Sequence, residues 1–578
     1  MRKTKIICTI GPASESPEMI GQLIEAGMNV ARLNFSHSTR EEHAGRIATI
    51  RQVARDMGVF IGIMLDTKGP EIRTGKLKAS PIDLVAGQQF ILTSRDVIGT
   101  SEIVSINYPG LPAEVNPKDR ILLADGLIEL EVNRVEGEDI ICQVVTANPL
   151  GEKKGVNVPG VALQLPFLSK QDREDICFGL AQGIDFVAAS FVQGPQDILA
   201  IRRLMEEQGR TVDIIAKIES REALQNLEEI IKVADGVMVA RGDLGVEIPT
   251  EQVPIMQKRI MEECHRLGRP VIIATQMLES MVNNPRPTRA EASDVANAVL
   301  GGADAIMLSA ESAAGKHPIE AVKTMARIAS YAETEVNYEE LLRQKRFAGT
   351  LSVPDAIAYA SCTTAMDLKA AAILTATHTG STAQMVAKYR PLSPIIASTP
   401  FEGVARSLAL TWGVYPVLVS SAPNTDEMVE GSTNAAWKAG YVQGGDMVVF
   451  TAGIPSGQRG STNFLKVHIV GEVLVKGTGI GKRVVAGRVK HWSPGVDLVV
   501  GKSDILVLAA TDAEAVPYIA QAAAVIAEEG GLTCQTAVAG LSLGIPVIVG
   551  AKNATGLLTE NMEVTADCAR GQVYRGGH

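Results

Sequence analysis

Two apolar runs, Asp213-Ile-Ile-Ala216 and Gly236-Val-Met-Val-Ala240, each break abruptly into charge. Lys217-Ile-Glu219 follows the first and Arg241-Gly-Asp243 the second. A lysine beside two carboxylates, at the ends of otherwise apolar strands, suits a hard cation together with an anionic substrate. Oxygen-only ligation with room for water and phosphate oxygens points to Mg²⁺ or Mn²⁺ on Glu219 and Asp243. The competing reading is two salt-bridged carboxylates at a strand rim, with Lys217 and Arg241 as partners. Arg32, Arg73 and Lys217 could neutralise a phosphoryl group in transit, because a loose transition state spreads charge over the equatorial oxygens. Asn34, Ser36, Asp66 and Thr67 offer neutral oxygens and a single carboxylate. That set suits a weakly held monovalent cation, or helix capping and local hydrogen bonding.

Strands must position these side chains, and the same grammar recurs along the chain. Apolar runs with polar ends occur at Ile6–Ile10, Asn29–His37, Gly62–Lys68, Phe186–Phe191, Pro270–Gln276 and Ala305–Glu311. With the two opening runs they make eight strands separated by helical stretches. Ser38-x-x-Glu41 and Thr288-x-x-Glu291 have capping-box spacing, and Gly301-Gly302 closes the second helix. Eight alternating units over roughly 230 residues predict a (β/α)8 TIM barrel, in which strand C-termini line the active site. The residues so placed are Arg32, Asn34, Ser36, Asp66, Thr67, Lys217, Glu219, Asp243 and Thr275.

The barrel is assigned to residues 1–69 and 169–340. Residues 70–168 interrupt it with alternating or β-branched segments and turn clusters such as Asp125-Gly126, which predicts an inserted β-rich lid domain. Residues 345–472 read as an α/β domain in which a strand over 371–376 leads into a helix from Ser381. The hydroxyls and backbone N–H groups of Thr377, Thr379, Gly380, Ser381 and Thr382 between them suit a phosphate. Residues 473–578 form a fourth block.

Composition excludes other classes. The balance of 55 basic and 65 acidic residues, net −10, carries no basic block, so no nucleic-acid footprint is expected. Seven scattered cysteines predict a reducing compartment. No apolar run approaches the roughly 18 residues of a membrane span, so a cytoplasmic protein without membrane contact is expected.

Five motifs in order, Ala31-Arg-Leu-Asn-Phe-Ser-His37, Leu65-Asp-Thr-Lys-Gly-Pro-Glu-Ile-Arg-Thr-Gly75, Ile214-Ile-Ala-Lys-Ile-Glu-Ser220, Met238-Val-Ala-Arg-Gly-Asp-Leu-Gly-Val-Glu-Ile-Pro249 and Ala274-Thr-Gln-Met-Leu-Glu-Ser280, resemble the pyruvate kinase family across nearly the first 470 residues. The resemblance implies phosphoryl transfer from phosphoenolpyruvate to ADP, giving pyruvate and ATP. It implies Mg²⁺ on Glu219 and Asp243, and K⁺ on Asn34, Ser36, Asp66 and Thr67. Arg32, Arg73 and Lys217 would meet the phosphoryl group. The Gly242 and Asp243 backbone with Thr275 would receive the substrate carboxylate, and Arg32, Asn34 and His37 would face the nucleotide. The Thr275 hydroxyl is too weakly acidic to donate a proton unaided, so it is assigned to a relay through water. A glutamate at the position of Glu71 goes with K⁺ dependence in the family.

The Thr377–Thr382 loop matches the family's effector cradle. The neighbouring loop Gly453–Gly460 lacks the tryptophan of the animal bisphosphate clamp, so a monophosphate such as AMP or ribose 5-phosphate is expected. A homotetramer is implied as well. Gly530-Gly-Leu-Thr-Cys-Gln535 and Gly544-Ile-Pro-Val-Ile-Val-Gly550 are similar to the swivelling phosphohistidine domain of phosphoenolpyruvate-utilising enzymes, but Gln535 stands where that family has its histidine. An amide has no nucleophilic imidazole nitrogen, so a structural or regulatory role is expected. Two rival readings are a Mg²⁺-dependent barrel lyase or aldolase and a catalytically silent binding protein. The first leaves the inserted domain and the phosphate loop unexplained; the second conflicts with the intact set of charged residues.

Overall fold

The computed structural model describes residues 1–161, 163–345, 352–454, 460–471 and 473–576. The chain divides into two compact units, Met1–Asn337 with Arg406–Gly413, and Tyr338–Ala405 with Val414–His578.

In the first unit eight parallel strands close into a barrel: Lys5–Thr9, Val30–Asn34, Gly62–Asp66, Phe186–Ala189, Asp213–Ile218, Gly236–Ala240, Val271–Ala274 and Ala305–Leu308. Each pairs with its neighbours in order, and the eighth closes on the first through Lys5↔Ala305. The strands are apolar on both faces because both faces are covered. Alternate residues such as Met64, Ile215, Met238 and Ile272 fill the barrel interior. Their neighbours Leu65, Ile214, Val237 and Ile273 pack outward beneath the helices.

Local signals set the helix starts. Thr288 and Glu291 exchange the two bonds of a capping box at the helix Arg289–Leu300, as the spacing predicts. The expected box at Ser38 and Glu41 is displaced by one residue. Thr39 caps the helix Arg40–Asp56 and pairs reciprocally with Glu42. Ser38 has φ 71°, a left-handed turn conformation, whereas Thr39 is extended and directs its hydroxyl at the Glu42 N–H.

Residues between the third and fourth barrel strands build a six-stranded sheet in the order Val156–Asn157, Arg120–Leu123, Ile128–Glu136, Asp139–Thr146, Gln89–Thr93, Ile103–Ser105. Phe90, Ile121, Leu130 and Ile140 form its core.

The second unit holds two sheets. One has five strands in the order Val414–Leu418, Ile395–Thr399, Ala372–Ala376, Met447–Gly453, Thr462–Ile469, with the last antiparallel at the edge. The other is a mixed eight-stranded sheet running from Val473–Lys476 at one edge to Thr478–Ile480 at the other. The two meet closely at a glycine turn. A Cβ on Gly444 would lie 2.6 Å from the Arg575 carbonyl oxygen, and Gly445 has φ 97°. Among the described residues no helix is long and apolar enough to cross a membrane.

Candidate active site

The fifth and sixth barrel strands lie side by side with Lys217 opposite Met238, so Glu219 and Asp243 emerge from adjacent strand ends. Lys217 is the hub. Its Nζ lies 2.9 Å from Glu219 Oε1 and 3.2 Å from Asp66 Oδ1, and donates to Ser190 Oγ at 2.7 Å. Arg32 Nε grips Asp66 Oδ2 at 2.6 Å, and Arg32 Nη1 donates to Thr9 Oγ1 at 2.9 Å. Residues from five strands thus meet in one charged ring at the C-terminal ends.

The electrostatics follow from burial and pairing. Burial opposes the Lys217 charge, but Asp66 and Glu219 outweigh it and hold the ammonium above the ordinary lysine value. Burial likewise acts to raise Asp66, yet Arg32 and Lys217 together hold it below the usual carboxylate range. Glu219 is raised, because burial exceeds what Lys217 returns to it. Asp243, within hydrogen-bond reach of Glu219, is raised by burial too. Glu219 Oε2 accepts the Phe191 N–H at 2.6 Å, while its buried Oε1 receives no well-directed hydrogen bond despite the nearby ammonium.

Two adjacent carboxylates, one with a buried oxygen that the ammonium neighbours but no well-directed hydrogen bond reaches, fit a divalent cation. Among the described residues no group of three or more His, Cys, Asp or Glu is placed to hold one. An ion here would complete its shell with water and substrate oxygens, as Mg²⁺ prefers.

Asn34 stands opposite Asp66 in register, so the second and third strands present two oxygen donors together. Asn34 Oδ1 accepts the Ser36 N–H at 3.1 Å, and Thr67 Oγ1 accepts the Ser190 N–H at 3.1 Å. Ser36 and the exposed His37 occupy the turn after the second strand.

Thr275 and Gln276 both have positive φ, 65° and 54°, an uncommon conformation for residues with side chains. Arg241 holds them there. Its Nη2 donates to the Thr275 carbonyl oxygen at 2.6 Å, its Nε to the Ala274 carbonyl oxygen at 3.2 Å, and its Nη1 to both Asp294 oxygens. Arg241 therefore serves the backbone rather than Glu219. The strained turn brings Thr275 Oγ1 to the Gly242 N–H, which it accepts at 2.9 Å.

A cleft of about 530 Å³ opens beside this ring, with His37, Arg73 and Asp243 among its walls. Arg73 pairs with Glu71 through Nε at 2.6 Å and donates to the Lys153 carbonyl oxygen at 2.9 Å. Glu247 also lines the cleft. Burial first, and then Glu222, push it up to about 7, while a hydrogen bond from Asn157 of the inserted domain opposes the shift.

Sequence reasoning missed Ser190, Thr9 and Glu247. Ser190 was detectable as a small hydroxyl ending the fourth apolar run, but a search for charge passes over it. Thr9 and Glu247 carry no comparable signal, since only folding brings them to Arg32 and Asn157.

In the second unit, Gly380 at φ 84° turns the chain into the helix Ser381–Lys388. Thr377 Oγ1 accepts the Gly380 N–H at 2.9 Å and Thr379 donates to Ser381 at 3.1 Å. A cavity of about 50 Å³ is lined by Thr377, Thr379, Ser381, Thr382, Glu427 and Ser432. Thr382 is buried with its hydroxyl 3.0 Å from that of Thr462. Of the Gly453–Gly460 loop, residues 455–459 lie outside the described residues. Farther along, Gln535 is exposed as the first residue of the helix Gln535–Leu543, which Cys534 precedes as N-cap, and Thr536 is buried against Glu529 and Thr511.

Comparison with known proteins shows the family to which the chain is similar. The family described as "Pyruvate kinase, barrel domain" matches residues 1–322, "Pyruvate kinase, alpha/beta domain" residues 355–468, and "PEP-utilising enzyme, mobile domain" residues 500–571. A pyruvate kinase of Geobacillus stearothermophilus is 52% identical over 580 residues, covering 100% of this chain and 99% of the relative. One of Bacillus licheniformis is 50% identical with the same coverage. A solved pyruvate kinase from Cryptosporidium parvum superposes with TM-score 0.77 at 40% identity, over 81% of this chain and 96% of that one.

Proposed function

Because the chain belongs to the pyruvate kinase family, we propose that the ring of Arg32, Asp66, Lys217, Glu219 and Asp243 carries phosphoryl transfer from phosphoenolpyruvate to ADP. One observation supports the assignment above all: a buried ammonium held between two buried carboxylates and a serine hydroxyl at the strand ends. Such a group is costly to bury and is preorganised for an anion.

Lys217, Arg32 and Arg73 face the three phosphoryl oxygens as charge spreads over them. Asp66 and Ser190 fix where the Lys217 ammonium points. The Gly242 and Asp243 N–H groups with the Thr275 hydroxyl receive the phosphoenolpyruvate carboxylate, which displaces the Thr275 Oγ1 contact from the Gly242 N–H, and Thr275 then relays a proton through water to the enolate carbon. Arg32, Asn34 and His37 lie towards ADP. Glu219 and Asp243 would hold Mg²⁺ or Mn²⁺, which when bound supplies positive charge to substrate oxygens. Asn34, Ser36, Asp66 and Thr67 would hold K⁺, whose single charge suits one carboxylate among neutral oxygens.

The catalytic barrel comprises residues 1–69 and 169–340, the lid 70–168, the regulatory domain 345–472 and the extra domain 473–578. In the regulatory domain Thr377, Thr379, Gly380, Ser381 and Thr382 cradle the phosphate of AMP or ribose 5-phosphate, which activates the enzyme. The active form is a cytoplasmic homotetramer.

Pyruvate formation from phosphoenolpyruvate and ADP, followed with a coupled dehydrogenase while Mg²⁺ and K⁺ are omitted in turn, tests the reading. Loss of activity without Mg²⁺ and marked slowing without K⁺ are expected. Undiminished turnover without either ion removes the two cation assignments.

A further inference from the structure

A second polar cavity, of about 770 Å³, lies within the second compact unit. Its walls come from two sheets. Lys466 and His468 sit on the edge strand Thr462–Ile469 of the five-stranded sheet. Lys476 ends the first strand of the eight-stranded sheet, opposite Gln572, and Arg570 lies just before the strand that carries Gln572. The two sides touch where Arg570 Nη2 donates to the Val467 carbonyl oxygen at 3.4 Å.

Three cations therefore line the cavity against one carboxylate, Glu430. Existing pairs do not use them up. Lys466 meets Asp426 at 3.1 Å, but that aspartate is 86% exposed. Arg570 meets Asp567 at 3.7 Å, and Lys476 makes no ion pair among the described residues. The exposed Lys466–Asp426 pair is weak in water and yields to a better anion, and at 3.7 Å the half-exposed Arg570 is only loosely tied to the buried Asp567. His468 registers the same field, since burial first and then Lys466 and Arg570 push it down to about 4. Trp437, 47% exposed, adds a flat apolar wall.

The helix Thr425–Lys438 separates this cavity from the one at the Thr377–Thr382 loop. Glu430, Asn434 and Trp437 face the basic cavity, while Glu427, Gly431 and Ser432 line the other. One rigid element thus carries a wall of each.

We propose that the cavity binds a small organic phosphate through Lys466, Lys476 and Arg570, with its carbon skeleton against Trp437, and that occupancy is coupled through the helix to the Thr377–Thr382 cavity. An anion bridging Lys466 with Lys476 and Arg570 would also tie the two sheets together. The coupling, though not the site itself, rests on the effector reading given above.

AMP is titrated into the full chain carrying Thr379→Ala and Ser381→Ala, so that the loop does not contribute, and read by tryptophan fluorescence. Trp437→Phe identifies the responding residue. A saturable Trp437 signal is expected, with affinity weakened about tenfold or more by Lys476→Gln combined with Arg570→Gln, and inorganic phosphate should compete. Both replaced side chains are exposed, and an unchanged melting temperature confirms the fold. No saturable signal by roughly 10 mM AMP, or one indifferent to the double substitution, overturns the site. Coupling is read separately, as a several-fold change in the ribose 5-phosphate concentration needed for activation when only Lys476 and Arg570 are replaced. An unchanged value refutes the coupling. Absence of any activation in the unmodified chain refutes the effector reading and with it the coupling, while the fluorescence arm still decides the site.

Discussion

Lys217→Met separates stability from catalysis at the centre of the ring. The substitution removes an ammonium 2.9 Å from Glu219 and 3.2 Å from Asp66, both only 1% exposed. Deleting one member of a buried pair costs about 3–5 kcal/mol. Two features place this case at the lower end. Asp66 keeps Arg32 at 2.6 Å, and Glu219, already raised by burial, takes up a proton instead of standing as an unpaired charge. A loss of about 3 kcal/mol is expected, which lowers the melting temperature by several degrees in a protein of this size. The effect on turnover is far larger, because a preorganised charge at a developing phosphoryl anion is worth roughly 10³-fold. Pyruvate release at saturating substrates, measured beside a thermal melt, should show kcat at least about 10³-fold lower in a folded protein. Ser190→Ala keeps the charge and loses only one contact, so its loss should be nearer tenfold. A folded Lys217→Met chain with kcat within tenfold of the unmodified one would refute the assignment.

Three further outcomes are expected. Glu71→Lys should weaken K⁺ activation, because a tethered ammonium near Arg73 replaces the ion's charge; dependence on K⁺ unchanged in a titration argues against that site. Thr379→Ala with Ser381→Ala should abolish the response of the half-saturating phosphoenolpyruvate concentration to AMP or ribose 5-phosphate, and a retained response places the effector elsewhere. Glu247 has a folded pKa of about 7 against an ordinary 4.5, so its contribution to stability is full below the lower value and lost as pH rises through the higher. Glu247→Gln should therefore flatten the fall in melting temperature between pH 5 and 8, on the order of 3 kcal/mol in stability, and equal slopes in both proteins contradict this.

The barrel strands were legible because burial on both faces demands near-continuous apolar runs, and the clustering of charge was legible where those runs end. Helix starts were less so. Ser38 and Thr39 both satisfy a capping preference, and only the backbone turn at Ser38 decides that Thr39 takes the role. Side-chain direction was also hidden: Arg241, two residues from Asp243, turns to Asp294 and the Thr275 backbone. Ser190 supports Lys217 with a neutral hydroxyl, which no charge pattern reveals. Glu247 depends on Asn157, 90 residues earlier, a pairing that exists only once the inserted domain sits over the cleft.

Divalent-ion binding by Glu219 and Asp243 beside Lys217 is the core of the proposed function. Binding of Mn²⁺, followed by electron paramagnetic resonance of the free ion, measures this without reference to turnover. The unmodified chain should take up Mn²⁺ at one site per protomer, and Glu219→Ala and Asp243→Ala should each weaken that site by two or more orders of magnitude while remaining folded. Mn²⁺ affinity unchanged in both variants would rule out Glu219 and Asp243 as the ligands of the ion.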